Sequence, residues 1–318
     1  MTRPAPVRWG FLGAGFVAAR AMGPAVHAAD GAVLHVVASR DSVRAVALGP
    51  VRTTDSYDAV CTASDVDAVY LSLPNDAHLP WVLQALGAGK HVLCEKPLGL
   101  DAAEVATMSA AATASGRLLV EASWNRWHPR TRRAERLLAH VSGPRQVDAE
   151  FTFSGVPAQN YRLQRDKGGG ALLDVGCYVV AAALAALGPG EVEVVDVQRR
   201  LGPTGVDLTT SALLSHPDGR ANVTASFERP ESQVFRVVAP GLSLELSAPA
   251  FASWRQPSSL LVTEGDRVHE ERFGACDPYQ LMVEAVSAKI RGDDAWVLPL
   301  STSAQVAATL DAIARTIG

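Results

Sequence analysis

The order of apolar and polar positions divides the chain into two stretches with different patterns. In the first third, short runs rich in Val, Leu and aromatics alternate with segments of helical period. Val7–Leu12, Leu34–Ser39, Ala68–Leu73, His91–Glu95 and Leu118–Ala122 predict strands, with helices predicted over Phe16–Ala29, Asp76–Ala88 and Asp101–Ser115. Strands separated by helices need crossover connections, so this part predicts a parallel sheet covered by helices. After about residue 125 the pattern changes. Helices are predicted over Pro129–His140 and Ala171–Leu187, with a strand over Gln146–Phe153 between them. Runs of strand character follow at Val192–Arg199, Leu208–Ser215, Arg220–Phe227, Val234–Ala239, Leu242–Leu246, Leu260–Val262 and Val268–Phe273. Turn signals such as His216-Pro217-Asp218-Gly219 and Pro240-Gly241 separate them, which predicts an antiparallel meander. Pro278–Ile290 and Ser303–Ile317 predict closing helices.

Length and composition sharpen this picture. At roughly 150 residues per domain, 318 residues imply two domains, expected at 1–123 and 124–318. With 48% hydrophobic and 19% charged residues the chain can bury a large core, which excludes a disordered or fibrous protein. A net charge of −4 gives no reason to expect nucleic acid or an anionic membrane as partner. Cys61, Cys94, Cys177 and Cys276 are far apart and form no CxxC, so neither a disulfide framework nor a metal site is expected. A reducing, cytoplasmic compartment fits that usage. Arg3 and Arg8 before the apolar run Trp9–Ala19 imitate a signal peptide. Gly10, Gly13 and Gly15 interrupt that run, and a strand, turn and helix account for it better. Val175–Leu187 is apolar but shorter than the ~20 residues that span a bilayer, and reads as a buried helix.

The chemistry begins at Gly10-Phe-Leu-Gly13-Ala-Gly15-Phe16-Val17-Ala18, between the first strand and the first helix. Gly13 permits a tight turn, Gly15 lets backbone approach a pyrophosphate, and Ala18 lets helix and strand pack closely. The N–H groups of Phe16, Val17 and their neighbours open the helix toward the phosphates. This pattern predicts the turn of a Rossmann domain that binds a dinucleotide, rather than an ordinary glycine-rich connection. At the end of the second strand, where an acid would bond the ribose 2′-OH of NAD, the chain has Ser39 and Arg40. Arginine pairs with a 2′-phosphate, which favours NADP, while Asp41 keeps NAD open.

Three further segments complete the set: Ser72-Leu-Pro74-Asn75-Asp-Ala-His78, Glu95-Lys96-Pro97, and Gly168-Gly169-Gly170-Ala-Leu-Leu-Asp174-Val-Gly176-Cys177-Tyr178. With these four ordered motifs the chain resembles the glucose-fructose oxidoreductase / inositol dehydrogenase / rhizopine catabolism (Gfo/Idh/MocA) family over nearly its whole length. The resemblance implies an α/β protein: an N-terminal Rossmann domain, then a C-terminal α/β domain with a large open, mainly antiparallel sheet. It also implies homodimers or homotetramers formed through that sheet, sugar or polyol substrates, and a cis Lys96–Pro97 bond. It places Asn75 near the nicotinamide ribose and Glu95 on the ribose hydroxyls. It places Ser72, Pro74, His78 and Arg162, the last in Tyr161-Arg162, among the cofactor contacts. The plain alternative for Asn75 is the N-cap of the following helix, with His78 in its first turn.

The residues also suggest a reaction. Pro74, Asn75, Glu95 and Lys96 sit at carboxyl ends of strands, where Rossmann-type ligands bind. An ammonium at Lys96 can stabilise a developing alkoxide. Asp174 and Tyr178 are spaced i, i+4 and share a helix face. The expected catalytic set is therefore Lys96, Tyr178 and Asp174, with hydride passing between nicotinamide and a sugar or ketosugar carbonyl. Tyr178 exchanges the proton, Lys96 polarises, and Asp174 binds a substrate hydroxyl or holds Lys96. Lys96 as direct proton donor stays open. Arg126, Arg130, Arg132, Arg133 and Arg136 read either as a solvated helix face or as a diphosphate grip for a nucleotide-linked 3-keto sugar. Trp124 and Trp127 read as core, and Cys177 as a small buried residue. A non-catalytic cofactor sensor of the same fold and a redox-assisted glycosidase that keeps its nicotinamide bound are the remaining alternatives.

Overall fold

The computed structural model describes residues 5–316. Arg3 and Ile317, the expected end of the last helix, lie outside the described residues. The chain divides into two compact units. The first runs up to Trp124 and adds Asp277–Ala304; the second comprises Asn125–Cys276 and the residues from Gln305.

In the first unit β1 (Val7–Leu12), α1 (Gly23–Ala28), β2 (Ala32–Ala38), α2 (Ser42–Ala47), β3 (Arg52–Thr54) and α3 (Tyr57–Thr62) come first. They are followed by β4 (Ala68–Leu71), α4 (His78–Gly87), β5 (His91–Cys94), α5 (Ala102–Ser115) and β6 (Leu119–Glu121). The strands form one parallel sheet in the order β3-β2-β1-β4-β5-β6. Its middle strands are buried on both faces, as helix-covered parallel strands must be. Trp9, Phe11, Leu12, Val36, Val37, Tyr70 and Leu71 are all 0% exposed. The order reverses between β1 and β4, which opens a crevice at the carboxyl ends of those strands. Three elements here were absent from the sequence expectation: α2, β3 and α3. Arg52-Thr53-Thr54 carries no apolar alternation because β3 is a short edge strand, and the two helices have only six residues each.

The second unit holds α6 (Pro129–Leu138), β7 (Arg145–Thr152), α7 (Cys177–Leu187), β8 (Glu193–Leu201), β9 (Asp207–His216) and β10 (Gly219–Ser226). Its remaining strands are β11 (Ser232–Ala239), β12 (Leu242–Leu246), β13 (Ser258–Glu264) and β14 (Arg267–Phe273). They form an eight-stranded sheet in the order β14-β13-β12-β11-β7-β10-β9-β8. It is mainly antiparallel but not a simple meander. β7 enters its middle and pairs in parallel with β10, from Arg145↔Gly219 to Thr152↔Ser226. A strand separated from the rest by a helix returns by a crossover, and a crossover permits parallel pairing. α7 lays Val179, Val180, Ala183, Leu184 and Leu187 on Val147, Ala149, Leu214, Val223 and Phe235. The helical stretch Arg165–Leu187 is longer than its apolar run and passes by length and composition as a membrane span, yet 78% of its apolar window is buried inside the protein. α8 (Pro278–Ile290) belongs to the first unit, where Trp9 Nε1 donates to Ser287 Oγ at 3.1 Å. α9 (Leu300–Arg315) closes the chain.

α6 does not present its arginines to solvent as one face. Arg130 is 1% exposed. Its Nη1 donates to Ser247 O at 2.8 Å and Ser247 Oγ at 2.9 Å, and its Nη2 to Pro249 O at 3.0 Å and Ala250 O at 2.9 Å. Burial pulls this guanidinium down to about 10. It is a brace for the segment after β12. Replacing it with Leu leaves several buried carbonyls without donors, each a loss of about 1–3 kcal/mol. We expect Arg130→Leu to lower unfolding free energy by at least about 3 kcal/mol, measured by urea titration.

Candidate active site

The glycine turn follows β1 directly. Gly13 has φ +97°, and a Cβ there would lie 2.7 Å from Ser72 O, so only glycine fits. At Gly15 the nearest atom to an added Cβ is Ser72 Oγ at 3.7 Å, so the approach to its backbone is open. Phe16 is 78% exposed, Val17 half-buried and Ala18 buried. The helix that begins there contains a π turn, Ala18–Met22, before α1. An open backbone followed by the free N–H groups of a first helical turn is what a diphosphate requires, so these residues fit a dinucleotide.

Ser39 and Arg40 follow β2, next to β1 in the sheet. Arg40 is exposed. Ser39 Oγ accepts the Asp41 N–H at 3.1 Å. Asp41 is occupied elsewhere: its Oδ1 caps α2 by accepting the Arg44 N–H at 3.1 Å, and its Oδ2 pairs with Arg44 at 3.2 Å. The carboxylate that kept NAD open is thus committed to a helix cap, and Arg40 is left facing solvent at the strand end.

Ser72, Pro74, Asn75 and His78 follow β4, and Glu95 and Lys96 follow β5, so these residues share one end of the sheet with the glycine turn. Asn75 is 5% exposed and opens a short turn, Asn75–Ala77, while the cap position of α4 falls to Ala77. Asn75 is therefore not the cap of that helix. His78 was expected at the cofactor; it is 0% exposed instead. Its Nδ1 lies 2.9 Å from Pro97 O and its Nε2 3.1 Å from Leu73 O. Burial lowers its pKa. The imidazole ties together the two loops that carry Ser72–Asn75 and Glu95–Lys96. Glu95 is 9% exposed and accepts the Tyr70 hydroxyl at 2.7 Å. Burial pushes its carboxyl up to about 7, against the pull of Tyr70 and Lys96. Glu121 Oε1 accepts the Leu98 N–H at 3.1 Å and secures the far side of the same loop. The Lys96–Pro97 bond is cis, and Lys96 is half-buried.

Asp174, Tyr178 and Arg162 come together in the second unit. Asp174 lies on a π turn, Leu172–Gly176, that runs into α7, and π turns recur at functional helices. Arg162 Nε donates to Asp174 Oδ2 at 2.6 Å. Tyr178 is half-buried, with the Phe151 ring at 5.6 Å and the Phe251 ring at 6.4 Å. Cys177 Sγ donates to Asp174 O at 3.4 Å and is 5% exposed, so it serves packing. The glycine run sets where this helix starts. A Cβ at Gly169 would lie 2.5 Å from Arg162 O and 2.7 Å from Gln164 O. Gly170 has φ +123° and leaves room for Asp207. Asp207 Oδ2 accepts the Leu172 N–H at 2.8 Å and the Thr210 hydroxyl at 2.8 Å. Sequence reasoning missed Asp207, because a capping acid supplied by a distant strand leaves no local signal.

Arg126 and the arginines of α6 other than Arg136 are engaged within the protein and do not form a diphosphate grip. Besides buried Arg130, Arg126 and Arg132 both pair with Glu135 at 2.8 Å, and Arg133 pairs with Glu271 at 2.8 Å. Arg136 is exposed. Trp124 and Trp127 are each 7% exposed, and Trp124 stacks on Tyr279 with centroids 4.7 Å apart.

Comparison with known proteins agrees over the whole chain. Residues 7–123 match the oxidoreductase family with an NAD-binding Rossmann fold, GFO/IDH/MocA, and residues 132–244 match the GFO/IDH/MocA C-terminal domain. A D-xylose 1-dehydrogenase (NADP(+)) of Haloferax volcanii is 36% identical over 96% of this chain and 95% of its own length. A dTDP-3,4-didehydro-2,6-dideoxy-alpha-D-glucose 3-reductase of Streptomyces antibioticus is 35% identical over 68% of each chain. The crystal structure of a 3-ketoreductase from Actinomadura kijaniata, in complex with NADP and TDP-benzene, is 29% identical, covers 97% of both chains and has a TM-score of 0.89.

The buried Glu95 sets a pH dependence. Its folded pKa of about 7 lies above its unfolded value, so across about pH 4.5–7 the folded protein holds a proton that the unfolded chain has released. This group's contribution therefore falls as pH rises through that window, by up to about 3 kcal/mol. Unfolding free energies at pH 5 and pH 8 should differ less in Glu95→Gln than in the parent. An unchanged difference would remove Glu95 as the cause.

Proposed function

This chain belongs to the Gfo/Idh/MocA oxidoreductases, and on that premise we propose that it is an NADP(H)-dependent enzyme that interconverts a sugar carbonyl and its alcohol. The observation that carries the reading is the open approach at Gly15, at the same end of the parallel sheet as Ser39, Arg40, Glu95 and Lys96. Gly13, Gly15, Phe16 and Val17 would hold the diphosphate, and Ser39 and Arg40 the 2′-phosphate. Asn75 and Glu95 would face the nicotinamide ribose, with Ser72 and Pro74 beside them. Once bound, NADPH supplies the hydride from C4 of its nicotinamide.

The protein's own groups handle the oxygen. Tyr178 gives its hydroxyl proton to the carbonyl oxygen, and in the oxidative direction takes it back. Lys96 stabilises the negative charge that develops there. Asp174, held by Arg162, accepts a substrate hydroxyl. Residues 1–123 then serve as the dinucleotide domain and 124–318 as the substrate domain, apart from Asp277–Ala304, which pack with the first unit. The xylose dehydrogenase similarity favours a free sugar, and the two 3-ketoreductases favour a nucleotide-linked keto sugar. The second reading needs diphosphate ligands other than the committed arginines of α6.

Two further parts of the reading are proposals. A homodimer or homotetramer would form through the outer face of the eight-stranded sheet, where Val234, Val238, Leu261 and Val268 are exposed. The enzyme would work in the cytoplasm, on a small-molecule substrate and without nucleic acid or membrane.

Tyr178→Phe and Lys96→Met should each lower kcat by about 10²–10⁴-fold with NADPH affinity changed only a few-fold. Undiminished turnover in either variant overturns that residue's assignment. Arg40→Ala should weaken NADPH binding by about 10–100-fold and leave NADH binding nearly unchanged, read by fluorescence titration.

A further inference from the structure

We propose that Arg162 is a positioning residue for the proton of Tyr178: it forms a charge pair with Asp174 beside the phenol, and the balance within that pair sets how readily Tyr178 releases its proton. This rests on the reading of Tyr178 above and gives Arg162, expected among the cofactor contacts, a further role that the four motifs do not show. Arg162 comes from the short turn Tyr161–Leu163. Its ion pair with Asp174, at 2.6 Å, is well shielded: the carboxylate is 9% exposed and the guanidinium 31%. The guanidinium also lies 5.1 Å from the centre of the Tyr161 ring. Asp174 precedes Tyr178 by one helical turn, so the pair and the phenol occupy one face.

The groups facing Tyr178 come from three directions. Asp174 is on its own helix, Arg162 is on the turn beside Tyr161 and close enough to feel the Tyr178 charge, and Phe151 and Phe251 are on the sheet side. The two phenylalanines bring no charge and keep water away, which lengthens the reach of the charges that remain. Burial lowers the Arg162 pKa, but the charges of Asp174, Tyr161 and Tyr178 outweigh it and the net shift is upward. The interaction is mutual, so the guanidinium favours the Tyr178 phenolate to the extent that Asp174 does not cancel it.

This arrangement predicts opposite shifts from its two members. Arg162→Met removes the cation and leaves the carboxylate unbalanced, and both changes disfavour the phenolate. Asp174→Asn leaves the cation unbalanced and favours it. Arg162→Lys keeps the charge and loses only the fork geometry.

The test is a titration of the resting, full-length protein with ¹³C-labelled tyrosine, followed by NMR. The Tyr178 signal is the one lost in Tyr178→Phe. The midpoint should rise by about one pH unit in Arg162→Met, fall by about one in Asp174→Asn and stay near the parent in Arg162→Lys. The pH at which kcat for alcohol oxidation rises, as Tyr178 becomes the base, should move in the same directions. An unmoved midpoint in Arg162→Met, or shifts of the same sign in Arg162→Met and Asp174→Asn, overturns the proposal. If Arg162→Met does not fold, the contrast between Asp174→Asn and Arg162→Lys decides it: a fall in the first alone supports the pair, and equal midpoints reject it. The titration needs no turnover, so normal kcat in Tyr178→Phe would defeat the catalytic reading while the shifts still decide the coupling.

Discussion

Both helices assigned to the chemistry begin where a side chain cannot be accommodated. At Gly13 a Cβ would press on the Ser72 carbonyl, and at Gly169 on those of Arg162 and Gln164. Each absence of a side chain brings two backbone segments closer than any other residue would allow. At the first site this joins β1 to the loop after β4. At the second it joins the Tyr161–Leu163 turn to the helix of Asp174 and Tyr178. Both helices then take a π turn within their first residues, Ala18–Met22 and Leu172–Gly176. The added residue in such a turn re-aims the side chains around it. Glycine here sets the position of function as well as the path of the backbone.

Irregular loops at strand ends leave polar backbone groups that must find partners. Much of the buried polar inventory goes to this purpose. His78 lies between the carbonyls of Leu73 and Pro97 and donates its one N–H to one of them, Glu121 receives the Leu98 N–H, and Asp207 receives the Leu172 N–H. These groups lie behind the residues assigned to the reaction and fix their loops. Glu95 is the exception, a carboxyl whose burial outweighs its bonds with Tyr70 and Lys96. Its raised pKa is the energetic cost of holding an acid at a strand end.

The alternation of short apolar runs and helical segments was enough to read the parallel sheet, because its central strands are apolar on both faces. β3 escaped because an edge strand of Arg52-Thr53-Thr54 has nothing to bury. The central position of β7 escaped for a different reason: pairing order depends on a crossover through α7, which local pattern does not encode. Within the site, the glycine turn, Lys96 and Asp174 with Tyr178 stood out by spacing. The roles of His78 and the α6 arginines did not. A histidine in a motif near a cofactor turn and an arginine cluster on a helix both suggest ligand contact. Only their burial and partners reveal that they brace the fold. Asp41 is the reverse case, an acid whose place suggested ribose but whose carboxylate closes a helix.

The central claim is that this fold moves hydride between a nicotinamide and a sugar carbon. The most direct measurement follows the isotope: NADPH deuterated at C4 is incubated with the protein and a panel of keto sugars, and the products are examined by NMR. The account predicts deuterium on one carbinol carbon of a single product, stereospecifically, with matching loss of absorbance at 340 nm. Protein that binds NADPH tightly yet leaves every keto sugar unlabelled would contradict it and point to a cofactor-holding scaffold.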